Sequence, residues 1–228
     1  MTNATSTPLP ASTSVPTTTT RRLLAGAAVG APLFAVAVLA QAVTRQGFDL
    51  TRHPASQLSN GDLGWIQITT FLLTGALTLG GAVGVRRVLR GGRAGTWGPI
   101  LLAVQGAGLM AAGVFRLDPA DGFPPGTPDG IPTSMSWHSV LHNICGSVAF
   151  LSMIAACFVL ARWFATTGQR AWAIYGRISG VVFIVGLVWA FTGGRAGALT
   201  LFVGVVTAWT WISASAARLA RLPDPASR

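Results

Sequence analysis

Apolar residues occur along this chain in six long runs that are separated by shorter polar segments. A helix rises about 1.5 Å per residue, so about 20 apolar residues cross a hydrocarbon layer about 30 Å thick. The predicted spans are residues 23–43, 64–85, 97–115, 138–160, 172–191 and 197–217. In lipid every backbone polar group must be hydrogen-bonded internally, and a helix achieves this. The pattern therefore predicts an all-α, polytopic integral membrane protein, a six-transmembrane-helix bundle.

The two ends of the chain fall outside these spans. Residues 1–20 are mainly Thr, Ser, Ala and Pro without charge, and this composition offers too little apolar surface to offset the entropy of ordering. We expect a disordered amino-terminal tail over 1–20, a membrane domain over 21–218 and a short tail over 219–228. The first apolar run, with two arginines before it and an Ala-Gln-Ala site at its end, also fits a cleaved export signal, and this alternative stays open.

The arginines indicate how the spans are oriented. All 16 basic residues are Arg and all 6 acidic residues are Asp, which gives a net charge of +10. Twelve arginines fall on one side of the predicted membrane, namely Arg21, Arg22, Arg86, Arg87, Arg90, Arg93, Arg162, Arg170, Arg177, Arg218, Arg221 and Arg228. Arg45, Arg52, Arg116 and Arg195 fall on the other side, with five of the six aspartates. The positive-inside rule predicts a multi-pass protein of the cell membrane with both termini cytoplasmic.

Composition limits the partners of the chain. It is 51% hydrophobic and 10% charged, whereas about a quarter of the residues in a soluble domain are charged. The basic residues lie between apolar runs and not on one soluble patch, so no nucleic-acid partner is expected. The expected partner is the lipid bilayer.

Pairs of glycines four residues apart provide a second kind of contact surface. They are Gly26 and Gly30, Gly80 and Gly84, Gly176 and Gly180, and Gly193 and Gly197. This spacing puts both glycines of a pair on one helix face, where a neighbouring helix can approach closely. We expect these faces to pack inside one bundle, and a homo-oligomer formed through them is the alternative.

Polar side chains are concentrated in the predicted external loops and at the start of the fourth span. His138 and His142 lie one helical turn apart where the longest loop enters this span. His53 and Ser56 in the first loop and Asp118 in the second would lie near the same membrane face. Small or polar stripes continue into the membrane through His142, Cys145, Ala149 and Ser152, and through Gln67, Thr70, Thr74 and Thr78, with Gln105 in the third span. Together they predict an outward-facing polar cavity.

Three short motifs carry a family resemblance. They are Ser56-Gln-Leu-Ser-Asn-Gly-Asp-Leu-Gly-Trp65 entering the second span, Phe115-Arg-Leu-Asp118-Pro119 leaving the third, and His138 to His142 opening the fourth. In this order on a six-span frame, the chain resembles the bacterial family catalogued as domain of unknown function 998, over about residues 25–217. The resemblance implies a six-helix membrane fold and no assigned reaction. It highlights residues 56–65, Asp118 and the histidine pair as a shared site without giving them roles.

The sequence leaves three functional hypotheses open. The cavity would serve a small-ligand transporter or binding protein. Alternatively, His138, His142 and Asp118 or His53 would hold a divalent metal such as zinc in a membrane lipid hydrolase, with Ser56 as a further catalytic candidate. In the third hypothesis, the histidines bond Asp118 or Ser56 and fasten the long loop over the bundle without catalysis. The residues assign no substrate and favour a protein that is not an enzyme.

Overall fold

The computed structural model of the chain describes residues 13–130 and 132–222. Its α-helices are α1 (Thr18–Thr44), α2 (Gly64–Val88), α3 (Gly92–Val114), α4 (Trp137–Thr166), α5 (Arg170–Phe191) and α6 (Gly197–Ala220). A short 3-10 helix, Ala55–Ser59, lies between α1 and α2. All six α-helices are long and apolar enough to cross a membrane. The prediction of an all-α bundle with six membrane-spanning helices is confirmed, and the bilayer is its environment.

Most helices continue beyond the predicted spans at the end where the arginines cluster. α2 reaches Val88, α4 reaches Thr166 and α6 reaches Ala220, each past the end of its apolar run. Arginine side chains allow this extension because their long apolar stems lie along the helix while the charged heads reach water. The spans are therefore longer than the apolar runs that predict them.

The helix α1 begins at Thr18, inside the segment that was expected to be disordered. The Thr17 hydroxyl accepts a hydrogen bond from the Thr20 backbone N–H and so caps the first turn. The Ser14 N–H donates to the Val88 carbonyl at the end of α2. Residues 13–20 are thus ordered by one local cap and by a hydrogen bond to α2, neither of which composition reveals. The rest of that tail, residues 1–12, and residues 223–228 lie outside the described residues.

The six helices pack as a closed ring in chain order. Each helix contacts its neighbours in sequence, and α1 contacts α6 to close the ring. The helix α6 also contacts α4 and α2, so its aromatic residues fill the middle. Trp209 is 1% exposed and packs on Phe34 of α1, with ring centroids 5.2 Å apart. It borders a void of about 20 Å³ on the arginine-rich side and a larger cavity on the other side.

Glycines allow the helices of this ring to approach closely. Gly75 of α2 and Gly106 of α3 face each other, and a Cβ added at either would lie within 2.8 Å of the other's carbonyl oxygen. Three of the spaced pairs also contact residues of the same chain: Gly26 and Gly30 face Leu77 and Trp209, Gly80 and Gly84 face Leu23 and Leu24, and Gly176 and Gly180 face Trp211 and Phe158. These glycine faces pack against helices of the same bundle. A homo-oligomer formed through them remains a prediction.

Replacing Gly75 by Ala is expected to lower the free energy of unfolding by about 1–3 kcal/mol, because the added methyl group meets the backbone of α3. Thermal unfolding in detergent or nanodiscs measures this loss. Gly146→Ala is the matched control, since nothing lies within 4 Å of a Cβ added at this helical glycine. Equal destabilisation by both changes would show that close approach is not what Gly75 provides.

Candidate functional site

A cavity of about 310 Å³ lies in the half of the bundle that faces the loops carrying the aspartates. This volume falls in the range of small-molecule sites, about 300–1,000 Å³. Its deep walls are mostly aromatic, with Phe34, Phe71, Phe150, Phe202 and Trp209. Its mouth lies at the helix ends, near Arg52, Ser56, Asn143, Phe191 and Ala198. The cavity is therefore largely apolar and carries a few polar groups at defined positions.

Gln105 of α3 is a buried polar residue on the cavity wall. It is 0% exposed, and neither its side-chain oxygen nor its side-chain nitrogen has a hydrogen-bond partner within residues 13–130 and 132–222. A buried polar group without a partner costs about 1–3 kcal/mol. Both amide atoms are covered in this structure, so rotation of the Gln105 side chain toward the cavity is needed to present its two N–H donors and one acceptor to an occupant.

His142 of α4 lies on the same cavity, closer to the mouth. Its Nδ1 is 2.7 Å from the Phe115 carbonyl oxygen and 3.1 Å from the Ala112 carbonyl oxygen. Both neighbours are acceptors, so Nδ1 carries the proton and fastens α4 to the end of α3. Nε2 is left as an acceptor, and it has no hydrogen-bond partner in the part of the chain that the structure describes.

The two long loops are fastened to each other beside the mouth. Arg52 donates from Nε to Asp121 Oδ2 at 3.0 Å and from Nη2 to Oδ1 at 2.8 Å, and this pairing lowers the pKa of Asp121. His53 Nδ1 accepts the Asp49 N–H, so its Nε2 carries the proton that is donated to the Asp121 carbonyl at 2.8 Å. His53 is 1% exposed, and both of its ring nitrogens are used in holding the loops.

Asp118 fastens the second loop to the start of α4. Its Oδ1 accepts the Ser136 hydroxyl at 2.6 Å, and its Oδ2 accepts the Ser136 N–H at 2.7 Å. The Asp118 N–H donates to Ser139 Oγ at 3.3 Å. Burial alone would raise the pKa of Asp118, but the bonds from Ser136 and Ser139 and the neighbouring His138 hold it below its usual value.

His138 lies near Asp118, but the four residues considered as metal ligands do not form a group of three among the described residues. His138 is exposed and stacks on Trp137 with centroids 3.6 Å apart, whereas His142, His53 and Asp118 are committed to the bonds described above. Across the two described ranges, no group of three or more His, Cys, Asp or Glu is arranged to hold a metal ion. The expected fastening of the loop exists, but its partners differ: His142 bonds α3 carbonyls and Asp118 bonds Ser136.

The expected polar stripe of α2 does not contribute its hydroxyls to this cavity. Thr70, Thr74 and Thr78 each donate to the carbonyl oxygen four residues earlier in their own helix. Gln67 accepts a hydrogen bond from Gln41 of α1 at 2.9 Å. The threonine hydroxyls are paired within their own helix, Gln67 Nε2 has no partner among the described residues, and none of these four side chains lines the cavity, so this stripe did not mark the cavity wall.

The aromatic lining was missed by the sequence analysis, although one signal was available. Trp209 lies in the middle of its span, whereas membrane tryptophans are enriched at the two interfaces. A mid-span tryptophan in a ring of helices indicates an interior position. Phe34 and Phe202 gave no comparable signal, since phenylalanine is also common on helix faces that contact lipid.

Comparison with known proteins identifies the family. A family model described as a protein of unknown function (DUF998) matches residues 28–218. The chain belongs to this family. No curated protein and no solved structure matches it. The DUF998 match covers every residue that lines the cavity and confirms the resemblance that the three motifs indicate. The family description assigns no reaction.

Asp118 is expected to make stability depend on pH. The pKa of Asp118 in the folded protein lies below the usual value of about 3.9. The ionised carboxylate therefore adds its full share to the free energy of unfolding above about pH 3.9, and this share is lost as pH falls through the lowered pKa. Asp118→Asn should therefore lower the melting temperature at pH 7, and the gap to wild type should close below about pH 4.

Asp62→Asn provides the control for this experiment, because Asp62 is exposed and makes no hydrogen bond among the described residues. Its difference from wild type should be small at every pH. A gap for Asp118→Asn that persists unchanged at low pH would contradict the assigned bonds to Ser136.

Proposed function

We propose that this DUF998 protein binds a small, predominantly apolar molecule in the cavity bounded by α3, α4 and α6. The observation that carries the proposal is the fully buried, unpaired amide of Gln105 on the wall of a cavity of about 310 Å³. The Gln105 amide costs free energy as long as it has no partner, and the apolar surface of the cavity costs free energy as long as it has no apolar contact. A ligand with an apolar body and a hydrogen-bonding group would remove both costs.

The loops around the mouth support binding because they are already held in place. The Arg52–Asp121 pair, the His53–Asp121 bond and the Asp118–Ser136 bonds connect the first loop, the second loop and α4. A site whose loops are fixed before the ligand arrives loses less conformational entropy on binding. This arrangement favours a stable receptor site over a collapsed surface.

Binding is favoured over transport because Trp209 lies between the cavity and the space on the arginine-rich side. Trp209 closes the deep end, and beyond it lies a void of only about 20 Å³. Such a void has room for one or two water molecules, each of which needs about 10–15 Å³. Transport would require a second conformation in which Trp209 leaves its contact with Phe34.

The proposal places the mouth on the outer face of the cell membrane and both termini in the cytoplasm. The twelve arginines at the opposite end support this orientation. The aspartates within the described ranges all lie at the mouth end: Asp49, Asp62, Asp118, Asp121 and Asp129. A ligand would then enter from outside or from the outer leaflet.

The orientation predicts which engineered cysteines react from outside. In a background lacking Cys145 and Cys157, a cysteine replacing the exposed Asp129 should be labelled by a membrane-impermeant maleimide on intact cells. A cysteine replacing the exposed Arg90 should react only after the membrane is permeabilised. The reverse pattern would overturn the orientation and leave the cavity itself unaffected.

Occupancy of the cavity is testable with a photoreactive octanol that carries a diazirine. In nanodiscs, adducts mapped by mass spectrometry are expected on deep residues such as Phe150, Phe202 or Trp209, and unlabelled 1-octanol should compete. Gly146→Leu should abolish these adducts, because the new side chain projects from a glycine that lines the cavity and has open space beside it.

Val148→Leu is the control for added volume, since Val148 lies on the same helix with 46% of its surface exposed. It should leave the deep adducts unchanged. Adducts confined to outward-facing side chains in every variant would contradict the proposed function.

A further inference from the structure

The cavity has polar groups at two depths. Gln105 precedes Ala112 by seven residues in α3, and the Ala112 carbonyl contacts His142. At about 1.5 Å per residue, Gln105 lies roughly 10 Å deeper along the helix axis than the His142 contact. A ligand that reaches both groups is therefore elongated along the bundle.

The wall between these depths favours an apolar, narrow segment. Gly108 of α3 packs against Ala149 of α4, so this part of the wall consists of small residues. Leu109 and Phe150 complete it with apolar surface. These apolar residues offer no hydrogen bond to replace the water that a polar group would lose on entering. Polar atoms in the middle of the ligand are therefore disfavoured.

The deep end requires an uncharged partner. The residues that line the cavity away from its mouth include Leu109, Met153 and Trp209, and the one charged side chain in the lining, Arg52, lies at the mouth. A buried charge without a counter-charge is far more costly than a neutral polar group. A hydroxyl, carbonyl or carboxamide group fits the amide, because each can use its free donor or acceptor.

The outer end offers a different set of groups. Nε2 of His142 is a free acceptor, and the hydroxyls of Ser56 and Ser147 make no hydrogen bonds within the described ranges while lining the cavity. Arg52 also reaches this end, but its guanidinium is held by Asp121. The outer set therefore suits a neutral group that donates at least one hydrogen bond.

We propose, on the basis of the ligand-binding function above, that the ligand is an elongated uncharged molecule with a hydrogen-bonding group at each end and an apolar segment of roughly 10 Å between them. The Gln105 amide holds the deep group, and His142 with the mouth hydroxyls holds the outer group. This places the unpaired amide in the recognition of the ligand and not in the folding of the bundle.

The test uses matched probes that compete with the photoreactive octanol in nanodiscs. Octane-1,8-diol carries a hydroxyl at each end, whereas 1-octanol carries one. The quantity compared is the ratio of their competition constants, because partitioning into the bilayer cancels when the ratio is compared between variants. Gln105→Met, which keeps the length of the side chain and removes the amide, should reduce the advantage of the diol by about 3- to 10-fold.

A second measurement in the wild-type protein does not depend on the variant. Across butane-1,4-diol, octane-1,8-diol and dodecane-1,12-diol, competition corrected for partitioning should be strongest for the eight-carbon diol, whose extended length matches the separation of the two polar sites. A steady increase with chain length would overturn the two-ended ligand, since it would report apolar burial alone.

The outcomes separate this inference from the proposed function. If both octanol and the diol compete but their ratio is the same in wild type and Gln105→Met, the two-ended ligand is wrong and the cavity still binds apolar molecules. If no probe competes for the deep adducts in wild type, the proposed function fails together with this inference. If the diol competes less well in Gln105→Met than in wild type while 1-octanol competes equally well in both, the result supports the assignment of Gln105 to the deep hydrogen-bonding group.

Discussion

Inside the hydrocarbon layer a polar group has no water to bond, so each one must find a partner in the protein. Most of the described bundle obeys this constraint by local means. The threonines of α2 bond carbonyls in their own helix, Gln67 bonds Gln41, and His142 bonds the last carbonyls of α3. The unpaired amide of Gln105 differs from other unpaired buried groups, such as Gln67 Nε2, because its residue lines the cavity of about 310 Å³.

The same constraint explains why the two ends of the bundle differ. At the arginine-rich end, guanidinium groups are exposed to water or bond nearby carbonyls, as Arg86 does with Gly95. At the opposite end, the loops are long and their polar groups bond one another through Asp118 and Asp121. The loops therefore form a fixed rim above the cavity.

Much of the fold follows from the sequence because one quantity, the length of each apolar run, determines a membrane span. The family resemblance rests on similarly local motifs. The candidate site is harder to predict, because contacts between helices depend on how each helix is rotated. His138 and His142 share a turn of α4, yet the first is exposed and stacked on Trp137 while the second is buried against α3. Their spacing in the sequence predicts that the two histidines act together, but the side chains around each one give them different environments.

The closure of the ring also affects how the protein is made. Arg21 at the start of α1 bonds the Ala220 carbonyl at the end of α6, 199 residues later in the chain. The contact between Phe34 and Trp209 joins the same two helices. During synthesis the face of α1 that contacts α6 therefore has no partner helix until α6, the last helix, is inserted. Trp209 completes the deep end of the cavity only at that final step, so a chain truncated before α6 would lack this wall even if its first five helices were packed correctly.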